Sequence, residues 1–468
     1  MNTVAQGLRA ENPWTPGGWR RALVYGLGLS GRAAAGLLLS QGVDVVAVDR
    51  RREAELDLGG LSTAANLELL LGREPEELPA DLDGVVVSPG IPPARPLLQA
   101  AQGAGLPVLS EVELAFPLLE GPVVGITGTN GKSTTTELAG AMLAAAGLPV
   151  EVCGNIGRPV SERVEGPKDR IFVVELSSFQ LENLVTFHPR AGALLNLAED
   201  HLERYPGFSE YAAAKLEMFR NQGAEDQAVL NGDDEAVRRL TGGLKARRRF
   251  FSRAGAVGDG CFLEDDRVIE VAPGQAPVEL FRRQDVSLDG AHNLENAMAA
   301  ALLARAFGAG PAQLRRALGS FEALPHRMVR VRERGGVTFF DDSKGTNFAA
   351  TAKSLEGLPD GSVHLILGGR PKGDDPRPIL GLLERKVRRL YLIGEAARPF
   401  SHLFGDRAAW EDCGTLERAV AGAAQRATAG ESVLLSPACA SFDQFTDFRQ
   451  RGRRFQELVH GLREVSDG

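Results

Sequence analysis

The chain has 468 residues, too many for one hydrophobic core, because a single core rarely exceeds roughly 250–300 residues. Its 53 basic and 61 acidic residues give a formal charge of -8 without a long block of one sign, so no nucleic-acid-binding surface is indicated. The four cysteines are widely spaced without a C-x-x-C pattern, which argues against a zinc site or a disulfide framework and favours a cytoplasmic location.

The N-terminal segment, predicted as a Rossmann-like domain over residues 1–110, opens with a strand, a glycine-rich turn, a helix and a second strand. The turn contains G-x-G-x-x-G in Gly26, Gly28 and Gly31, and Asp49 ends the second strand about twenty residues later. Such glycines let the backbone approach a diphosphate at the helix start, and the carboxylate can accept a ribose hydroxyl. A nicotinamide dehydrogenase would show the same pattern.

The central segment, predicted as a P-loop ATPase-like domain over residues 111–323, contains GITGTNGKSTTTE after an apolar run. Gly128 and Gly131 let the loop wrap phosphate oxygens with backbone N–H groups. Lys132 adds a positive charge, and Ser133 adds a hydroxyl for magnesium. An isoleucine stands where the first glycine of the usual P-loop is expected. A plain glycine turn is the alternative, but the order strand, Gly-Lys-Ser and helix favours a bound nucleotide.

The apolar stretch that follows this loop, residues 138–150, is the most apolar of the chain. It is too short to span a bilayer, because a membrane-spanning helix needs about 20 apolar residues. We interpret it as the continuation of the helix that begins at the phosphate loop. The sequence therefore predicts no membrane insertion.

Polar groups also follow the later apolar runs of the central segment. Glu175 ends one strand, and His201 follows Asp200 after another, so a carboxylate and a neutral imidazole could ligate a metal at the same sheet edge. Either group alone is equally consistent with an ordinary strand end. Only their combination with the phosphate loop favours a magnesium site.

Lys215, in SEYAAAKLEMF, has an unusual setting for a lysine. On a helix, Tyr211, Lys215 and Phe219 share one stripe at i, i+4 spacing, which puts the amine between two aromatic side chains. A lysine there either extends to water, the commoner outcome for this pattern, or loses its charge. In the second case, reaction with carbon dioxide would give a carbamate, which is a metal-binding carboxylate.

The junction between the central and third segments supplies further polar groups. His292, Asn293 and Asn296 stand at a predicted helix start, where an amide could bind a nucleotide or simply cap the helix. Arg327 follows Leu-Pro-His and could reach a phosphate as an arginine clamp does, although a linker arginine is usually solvated.

The third segment, predicted as a second Rossmann-like domain over residues 324–468, again places polar residues after apolar runs. These candidates are Asp342, Lys344, Thr346, Lys372, Ser441 and Phe448. Two lysines and two hydroxyl groups at strand ends suit a small dicarboxylate, whereas turn or cap chemistry is the ordinary role of any one of them. The predicted fold class is therefore α/β with three domains, two Rossmann-like and a central P-loop ATPase-like one.

Taken in order, these motifs resemble the ATP-dependent Mur ligases of peptidoglycan synthesis. The matching stretches are GLGLSG, GTNGKST, GNIG, ELSSFQL, DHLERY, AAKLEMF, GAHNLENAMAA, LPHR, DDSKGTN and LSPACASFDQFTDFRQRG. The first and last of them resemble the branch of the family that adds D-glutamate. The resemblance implies that a monomeric enzyme uses ATP to join UDP-N-acetylmuramoyl-L-alanine to D-glutamate.

The resemblance also implies roles for individual residues. The UDP-sugar would be bound by Leu29, Ser30, Asp49, Arg50, Ser88, Asn155 and His201. ATP would be bound by Gly128, Thr129, Asn130, Gly131, Lys132, Ser133, Thr134, Asn293, Asn296, Arg327 and Asp342. Magnesium, expected as two ions, would be bound by Ser133, Glu175, His201 and carbamoylated Lys215. D-Glutamate would be bound by Asp200, Lys344, Thr346, Lys372, Ser441 and Phe448. The catalytic set would be Lys132, His201, Lys215, Arg327, Asp342 and Lys344.

Two stretches of the third segment depart from the family pattern. The family's loop often reads Asn-Asp-Ser-Lys-Ala, whereas this chain has Asp341 and Gly345 at its two ends, which adds a charge near the expected ribose contact. In GGRPKG, Arg370 and Pro371 stand before Lys372, where a shorter or more acidic turn is common.

The implied reaction explains why the chain would use a nucleotide. A carboxylate is a poor electrophile, but transfer of the γ-phosphoryl group onto it gives an acyl phosphate that an amine can attack. The alternatives are a sibling ligase for another amino acid, a folylpolyglutamate-type ligase, a nicotinamide dehydrogenase and a nucleotide-driven switch. The Gly-Lys-Ser motif argues against the dehydrogenase, and ATP turnover independent of an amino acid would favour the switch.

Overall fold

The computed structural model describes residues 18–56, 58–202, 204–288, 290–322 and 325–463. The strands are β1 (Arg21–Tyr25), β2 (Asp44–Asp49), β3 (Leu67–Leu71), β4 (Gly84–Val87), β5 (Val108–Ser110), β6 (Val123–Thr127), β7 (Val150–Gly154), β8 (Ile171–Glu175), β9 (Ala191–Leu194), β10 (Gln227–Asn231), β11 (Arg247–Ser252), β12 (Gly260–Glu264), β13 (Arg267–Val271), β14 (Val278–Arg282), β15 (Val329–Arg334), β16 (Val337–Asp341), β17 (Val363–Gly368), β18 (Val387–Ile393), β19 (Trp410–Gly414) and β20 (Ser432–Leu435). The α-helices are α1 (Leu29–Ser40), α2 (Pro96–Gly103), α3 (Glu111–Ala115), α4 (Lys132–Ala145), α5 (Ser178–Leu181), α6 (Phe208–Leu216), α7 (Glu235–Leu240), α8 (Ala291–Arg305), α9 (Pro311–Ser320), α10 (Phe348–Glu356), α11 (Arg377–Lys386), α12 (Ala397–Phe404), α13 (Leu416–Arg426) and α14 (Phe448–His460).

Contacts along the chain divide it into two units. The first comprises Met1–Leu197, Ala212–Asp285 and Glu295–Gly319, and the second comprises Ala198–Tyr211, Val286–Leu294 and Ser320–Gly468. Two sheets lie in the first unit and one in the second. Three sheets with intervening helices confirm the predicted α/β class, whereas the domain boundaries after residues 110 and 323 stay a prediction.

The N-terminal sheet is parallel throughout, with the strand order β3-β2-β1-β4-β5. Its central strands are runs of valine, leucine and alanine that are buried on both faces, as expected for a parallel sheet covered by helices. The chain first builds one side of β1 and then adds β4 and β5 on the other. The loops after β1 and β4 therefore flank the topological switch point, where open α/β sheets bind ligands.

The central sheet has the order β14-β13-β12-β11-β10-β9-β6-β8-β7. Its strands pair in parallel from β7 to β12, and only β13 and β14 pair antiparallel to their neighbours. From β6 the chain continues to β7 and β8 on one side and then crosses to β9 on the other. The loop after β6 thus opens at a switch point beside the loop after β9.

The sheet of the second unit has the order β15-β16-β20-β17-β18-β19, in which only β15 is antiparallel. Hydrophobic clusters cover both of its faces. Strands β16, β20 and β17 are direct neighbours and run the same way. The loops that follow these three strands therefore meet at one edge, although they are far apart in the sequence.

The helix that begins at the phosphate loop is shorter than predicted. It ends at Ala145, and Gly147 then takes a φ of 78°, a conformation that favours glycine and breaks the helix. Val150 opens strand β7 instead of continuing the helix. In the described part of the chain, no helix combines the length and the apolar character needed to cross a bilayer.

Helix α3 buries two glutamates that bind backbone groups of the central part of the chain. The carboxylate of Glu111 accepts a hydrogen bond from the N–H of Ser161 (2.5 Å). The carboxylate of Glu113 accepts from the N–H groups of Thr186 (2.7 Å) and Phe187 (3.0 Å). Burial raises the pKa of Glu111 to about 7, against the opposing effect of the Ser161 hydrogen bonds.

We expect Glu111→Gln to gain stability over the parent protein as the pH rises. The folded state holds the Glu111 proton with a pKa of about 7 against an ordinary value of 4.5, so the parent's free energy of unfolding falls between these pH values. Glutamine keeps the acceptor for Ser161 but binds no proton. Urea denaturation of both proteins at pH 5 and pH 8 measures the difference, and an equal difference at both pH values would contradict the prediction.

Candidate nucleotide and amino-acid binding sites

The glycine turn after β1 brings the first helix unusually close to the sheet. Gly26 has a φ of 90°, and a Cβ on Gly31 would overlap the carbonyl oxygen of Gly26. The hydroxyl of Ser88, after β4, donates to the same oxygen (2.6 Å). Leu29 is 60% exposed at the start of α1. The predicted residues of the turn and of the Ser-Pro-Gly loop thus lie together at the switch point of the N-terminal sheet.

Asp49 is held by the glycine turn and by an arginine that the sequence analysis missed. Its carboxylate accepts a hydrogen bond from the N–H of Leu27 (2.7 Å) and is paired with the guanidinium of Arg51 through Nε (3.0 Å) and Nη2 (2.7 Å). Burial opposes ionisation, but the Arg51 hydrogen bonds outweigh it and lower the pKa of Asp49. Arg50, the arginine selected from the sequence, is exposed. Three consecutive arginines follow Asp49, and only the structure shows which of them pairs with its carboxylate.

The loop between β6 and α4 is shaped by two glycines and held by one asparagine. Gly128 and Gly131 have φ angles of 150° and 84°, which favour glycine. The N–H of Thr129 donates to the backbone oxygen of Asn196 (3.0 Å), and the N–H of Asn130 donates to its side-chain oxygen (2.8 Å). Asn196 thus fixes the loop from just beyond the end of β9. The sequence analysis missed Asn196, because it lies outside the loop motif.

The ammonium group of Lys132 folds back over this loop. It donates to the carbonyl oxygens of Gly128 (2.9 Å) and Thr129 (2.8 Å). Helix α4 begins at Lys132, so its first N–H groups and the positive end of its dipole face the loop. Ser133 and Thr134 are buried in its first turn. A cation, a glycine loop and a helix N-terminus together form an arrangement that binds a polyphosphate.

Asn296 lies against the phosphate loop from helix α8. Its side-chain oxygen accepts a hydrogen bond from the hydroxyl of Thr135 (3.3 Å), and a Cβ on Gly131 would overlap this oxygen. Asn296 belongs to the first unit, whereas His292 and Asn293 belong to the second. The predicted trio is therefore divided between the two units, and the structure places Asn296 at the loop.

Lys215 does not extend to water, so the commoner outcome for its pattern is wrong. Tyr211, Lys215 and Phe219 are only 1%, 1% and 3% exposed, which confirms that the stripe is buried. The Nζ atom of Lys215 donates to the carbonyl oxygen of Gly128 (2.9 Å), the same oxygen that receives Lys132. Two amines therefore meet at one carbonyl oxygen of the phosphate loop.

A carboxylate, Glu175, is buried at the end of β8, beside β6. It is 1% exposed, and its Oε1 accepts a hydrogen bond from the side chain of Asn155 (2.6 Å). Burial, and then the charge of Glu175, raise the pKa of Glu137 on α4, so a second carboxyl group lies near the first. The sequence analysis missed Glu137, whose position inside a helix gave no signal. Within the described ranges, no group of three or more His, Cys, Asp or Glu side chains has the arrangement of a metal site.

In the second unit, Asp200 binds Lys372, another of the predicted amino-acid ligands, and Asn347. Its carboxylate, 5% exposed, accepts hydrogen bonds from the Nζ of Lys372 (2.8 Å) and from the side chain of Asn347 (2.9 Å). Asp374 lies 3.9 Å from the same Nζ. His201 follows with a φ of 58°. The structure thus joins Asp200 to Lys372 despite the unusual Arg-Pro turn, and it adds Asn347, which the sequence analysis missed.

The loop after β16 buries two adjacent aspartates. Burial raises the pKa of Asp342 to about 6, although hydrogen bonds from Ser354 and Ser436 (both 2.7 Å) favour the ionised form and the nearby Arg327 also lowers the value. A Cβ on Gly345 would crowd the Asp342 carboxylate and the hydroxyl of Ser436, so glycine fits this position without a shift of either group.

Asp341, the other departure from the family pattern, is completely buried. Its carboxylate lies 2.7 Å from His326 Nδ1 and accepts hydrogen bonds from Gln456 (2.7 Å) and the N–H of Ser343 (3.0 Å). The added charge is therefore enclosed by side chains of the second unit. After burial, the charge of Asp341 also raises the pKa of Asp342.

The remaining predicted ligands of the second unit lie on the loops after β16 and β20. The Nζ of Lys344 stands 4.1 Å from the centroid of the Phe448 ring, a cation–π contact. Thr346 is half-buried and follows two residues later, and Ser441 is 2% exposed. The two loops meet because β16 and β20 are neighbours, and Phe448 is the first residue of α14.

Three family models match consecutive parts of the chain. They are described as Mur ligase MurD-like, N-terminal domain (residues 20–110), Mur ligase middle domain (residues 126–304) and Mur ligase, glutamate ligase domain (residues 326–439). Each model covers one of the three sheets. The phosphate loop falls in the middle model, and the buried aspartates fall in the third.

Several curated proteins are similar to almost the whole chain. UDP-N-acetylmuramoylalanine--D-glutamate ligase from Trichlorobacter lovleyi is 42% identical over 95% of this chain and 99% of its own length. The enzyme of that name from Myxococcus xanthus is 44% identical over 95% of this chain and 98% of its own.

Solved structures with lower sequence identity share the fold. MurF from Acinetobacter baumannii has a TM-score of 0.60 at 18% identity, covering 93% of this chain and 90% of that one. A pseudomurein peptide ligase type C from Methanothermus fervidus has a TM-score of 0.58 at 19% identity, covering 95% and 100%. With the near full-length relatives, these findings show that the chain belongs to the Mur ligase family, on the branch of the UDP-N-acetylmuramoylalanine--D-glutamate ligases.

Proposed function

We propose that this protein is an ATP-dependent ligase that forms an amide between the L-alanyl carboxylate of UDP-N-acetylmuramoyl-L-alanine and the amine of D-glutamate. The observation that carries the proposal is the loop at 128–131, which is followed by the N-terminus of α4 and holds the ammonium group of Lys132 on two of its carbonyl oxygens. The relatives that carry this activity in their names are about 42% identical over 95% of the chain.

The proposed chemistry passes through an acyl phosphate. The carboxylate oxygen of the substrate attacks the γ-phosphorus of ATP, and ADP leaves. The amine of D-glutamate then attacks the acyl carbon, and inorganic phosphate leaves as the amide forms. Lys132 would balance the charge that develops on the transferred phosphoryl group. The chain's part is therefore mainly electrostatic and positional.

The substrates would be held at the three sheet edges. The UDP-sugar would lie at the N-terminal switch point, against Asp49, Ser88 and the glycine turn, with Arg51 added to the predicted set. ATP would lie on the loop held by Asn196. D-Glutamate would lie in the second unit, where Lys372, Lys344 and Ser441 offer cations and a hydroxyl. A carboxylate at each end of the amino acid matches these groups.

The residues beside the phosphate loop fit magnesium once Lys215 is modified. Lys215 is buried, and its amine shares the carbonyl oxygen of Gly128 with Lys132. In general, burial disfavours the charged form of an amine. A neutral amine can attack carbon dioxide, giving a carbamate and releasing one proton. The carbamate, Glu175 and Ser133, all in the first unit, would hold magnesium, which would neutralise phosphate charge when bound.

We further propose a cytoplasmic monomer. The four cysteines are free and buried in the structure, which agrees with a reducing compartment. The substrates are small molecules, and the balanced surface charge gives no reason to expect nucleic acid as a partner.

Amide formation with a panel of amino acids tests the proposed function. We expect phosphate release to require both UDP-N-acetylmuramoyl-L-alanine and D-glutamate. L-Glutamate, L-lysine and meso-diaminopimelate should give far less amide product than D-glutamate. Hydroxylamine added without amino acid should trap the activated carboxylate as a hydroxamate. ATP hydrolysis that ignores both substrates, or a clear preference for another amino acid, would overturn the proposal.

A further inference from the structure

Arg451, on the second turn of the last helix, is one of the largest fully buried side chains of the protein. It is 1% exposed, and burial lowers the pKa of its guanidinium to about 10, so it stays charged at neutral pH. The acidic groups Asp443, Asp341 and Asp342 act in the opposite direction. Burying a cation is costly unless its donors are well used. The hydrogen bonds of Arg451 show what the chain gains from it.

The guanidinium of Arg451 joins two loops that are almost a hundred residues apart. On one side, its Nε donates to the hydroxyl of Ser343 (3.0 Å) and its Nη2 to the Ser343 carbonyl (2.9 Å). On the other side, it donates to the carbonyl oxygens of Cys439 (3.1 Å) and Ala440 (3.4 Å). The planar fork of an arginine fixes both distance and angle between such acceptors, which a lysine cannot do.

The two joined loops are those that present the proposed amino-acid ligands. Ser343 directly precedes Lys344, and Ala440 directly precedes Ser441. The hydroxyl of Ser343 also donates to the backbone oxygen of Phe448 (2.8 Å), whose ring lies under the Lys344 ammonium. One guanidinium therefore sets the spacing of Lys344, Ser441 and Phe448 without facing the substrate itself.

We propose that Arg451 is a positioning residue that holds Lys344 and Ser441 at the separation required by D-glutamate, and so selects the length of the incoming dicarboxylate. This inference rests on the proposed function. Two fixed anchoring points bind one chain length best, because a shorter or longer substrate leaves one buried polar group unpaired. If the link between the two loops is loosened, substrates of the wrong length no longer leave a polar group unpaired, and D-glutamate binds less tightly.

Kinetics of Arg451→Met and Arg451→Lys test the proposal. In Arg451→Met we expect the KM for D-glutamate to rise at least about tenfold, the equivalent of one lost charged hydrogen bond. The KM values for ATP and for the UDP-substrate should stay within about twofold. The preference for D-glutamate over D-aspartate and D-2-aminoadipate should fall. The Arg451→Lys variant should recover part of the affinity for D-glutamate and part of the length preference. Arg454→Met, an exposed arginine on the same helix that pairs with Glu417, is the matched control and should behave as the parent.

The outcomes separate positioning from mere folding. Hydroxamate trapping without D-glutamate needs only the first half-reaction, so it should be unchanged in a folded Arg451→Met variant. An unchanged KM for D-glutamate with unchanged length preference, or an equal loss of trapping and of amide formation, would overturn the proposal. Should Arg451→Met fail to fold by circular dichroism, Arg451→Lys and Ser343→Ala decide in its place. Failure of the parent protein to use D-glutamate would instead overturn the proposed function, before any variant is compared.

Discussion

Lys132→Met is expected to lower kcat/KM for amide formation roughly a thousandfold, the scale seen when a charged or donor group aimed at a transition state is removed. Lys132 holds its ammonium group on the carbonyl oxygens of Gly128 and Thr129, so its position is set before a phosphate arrives. Methionine keeps the length and the packing of the side chain but carries no charge. Phosphate release and hydroxamate trapping should therefore fall together, because both follow phosphoryl transfer.

The matched control for this variant is Lys168→Met, which removes an exposed lysine of the same unit. The Lys168 side chain is 75% exposed and pairs only at the surface with Glu120 (3.1 Å), and such pairs contribute little. Its activity should equal that of the parent. Lys132→Met retaining more than about a tenth of the parent rate would show that the helix N-terminus and glycine loop act without the lysine.

The sequence predicted the phosphate loop and the fold class because both depend on local chemistry. A strand, glycines with positive φ and a helix N-terminus must be contiguous to bind a phosphate, so Gly128, Gly131 and Lys132 can be read in one window. The same holds for the glycine turn after β1, where Gly31 allows the helix to approach Gly26. The rule that ligands lie beyond the carboxyl ends of parallel strands then orders the remaining candidates.

The residues that could not be predicted from the sequence are those that form hydrogen bonds between loops of different strands. Asn196 holds the phosphate loop from a neighbouring strand, and Asn347 reaches Asp200 over a separation of 147 residues. Arg51 differs from the arginines beside it in its two side-chain hydrogen bonds to Asp49, which the sequence does not indicate. None of these roles has a local pattern, because each depends on the strand order, which brings distant loops to one edge.

Lys215 is the residue for which sequence and structure together say more than either alone. The stripe of Tyr211, Lys215 and Phe219 left two outcomes open, and burial of all three removes the solvated one. The hydrogen bond to Gly128 then places the amine beside Lys132, where a second positive charge is unfavourable. A carbamate would reverse the sign of the group and turn repulsion into attraction for Lys132 and for a bound cation.

Lys215→Ala is therefore expected to lose at least about a hundredfold in kcat/KM, and added bicarbonate, formate or acetate should restore part of it. A small carboxylate can enter the space that the side chain leaves and take the place of the carbamate, whereas the parent protein has no such space. Lys245→Ala, which removes an exposed lysine, is the control and should respond to none of these anions.

A direct measurement completes this test. Carbon-13 from labelled bicarbonate should appear as a carbamate signal in the parent protein and be absent from Lys215→Ala. A fully active Lys215→Ala variant would contradict the carbamate role. An inactive variant that no small anion restores, in a parent without the carbon-13 signal, would assign Lys215 to the phosphate loop as a structural amine, since its hydrogen bond to Gly128 would then be its main contribution.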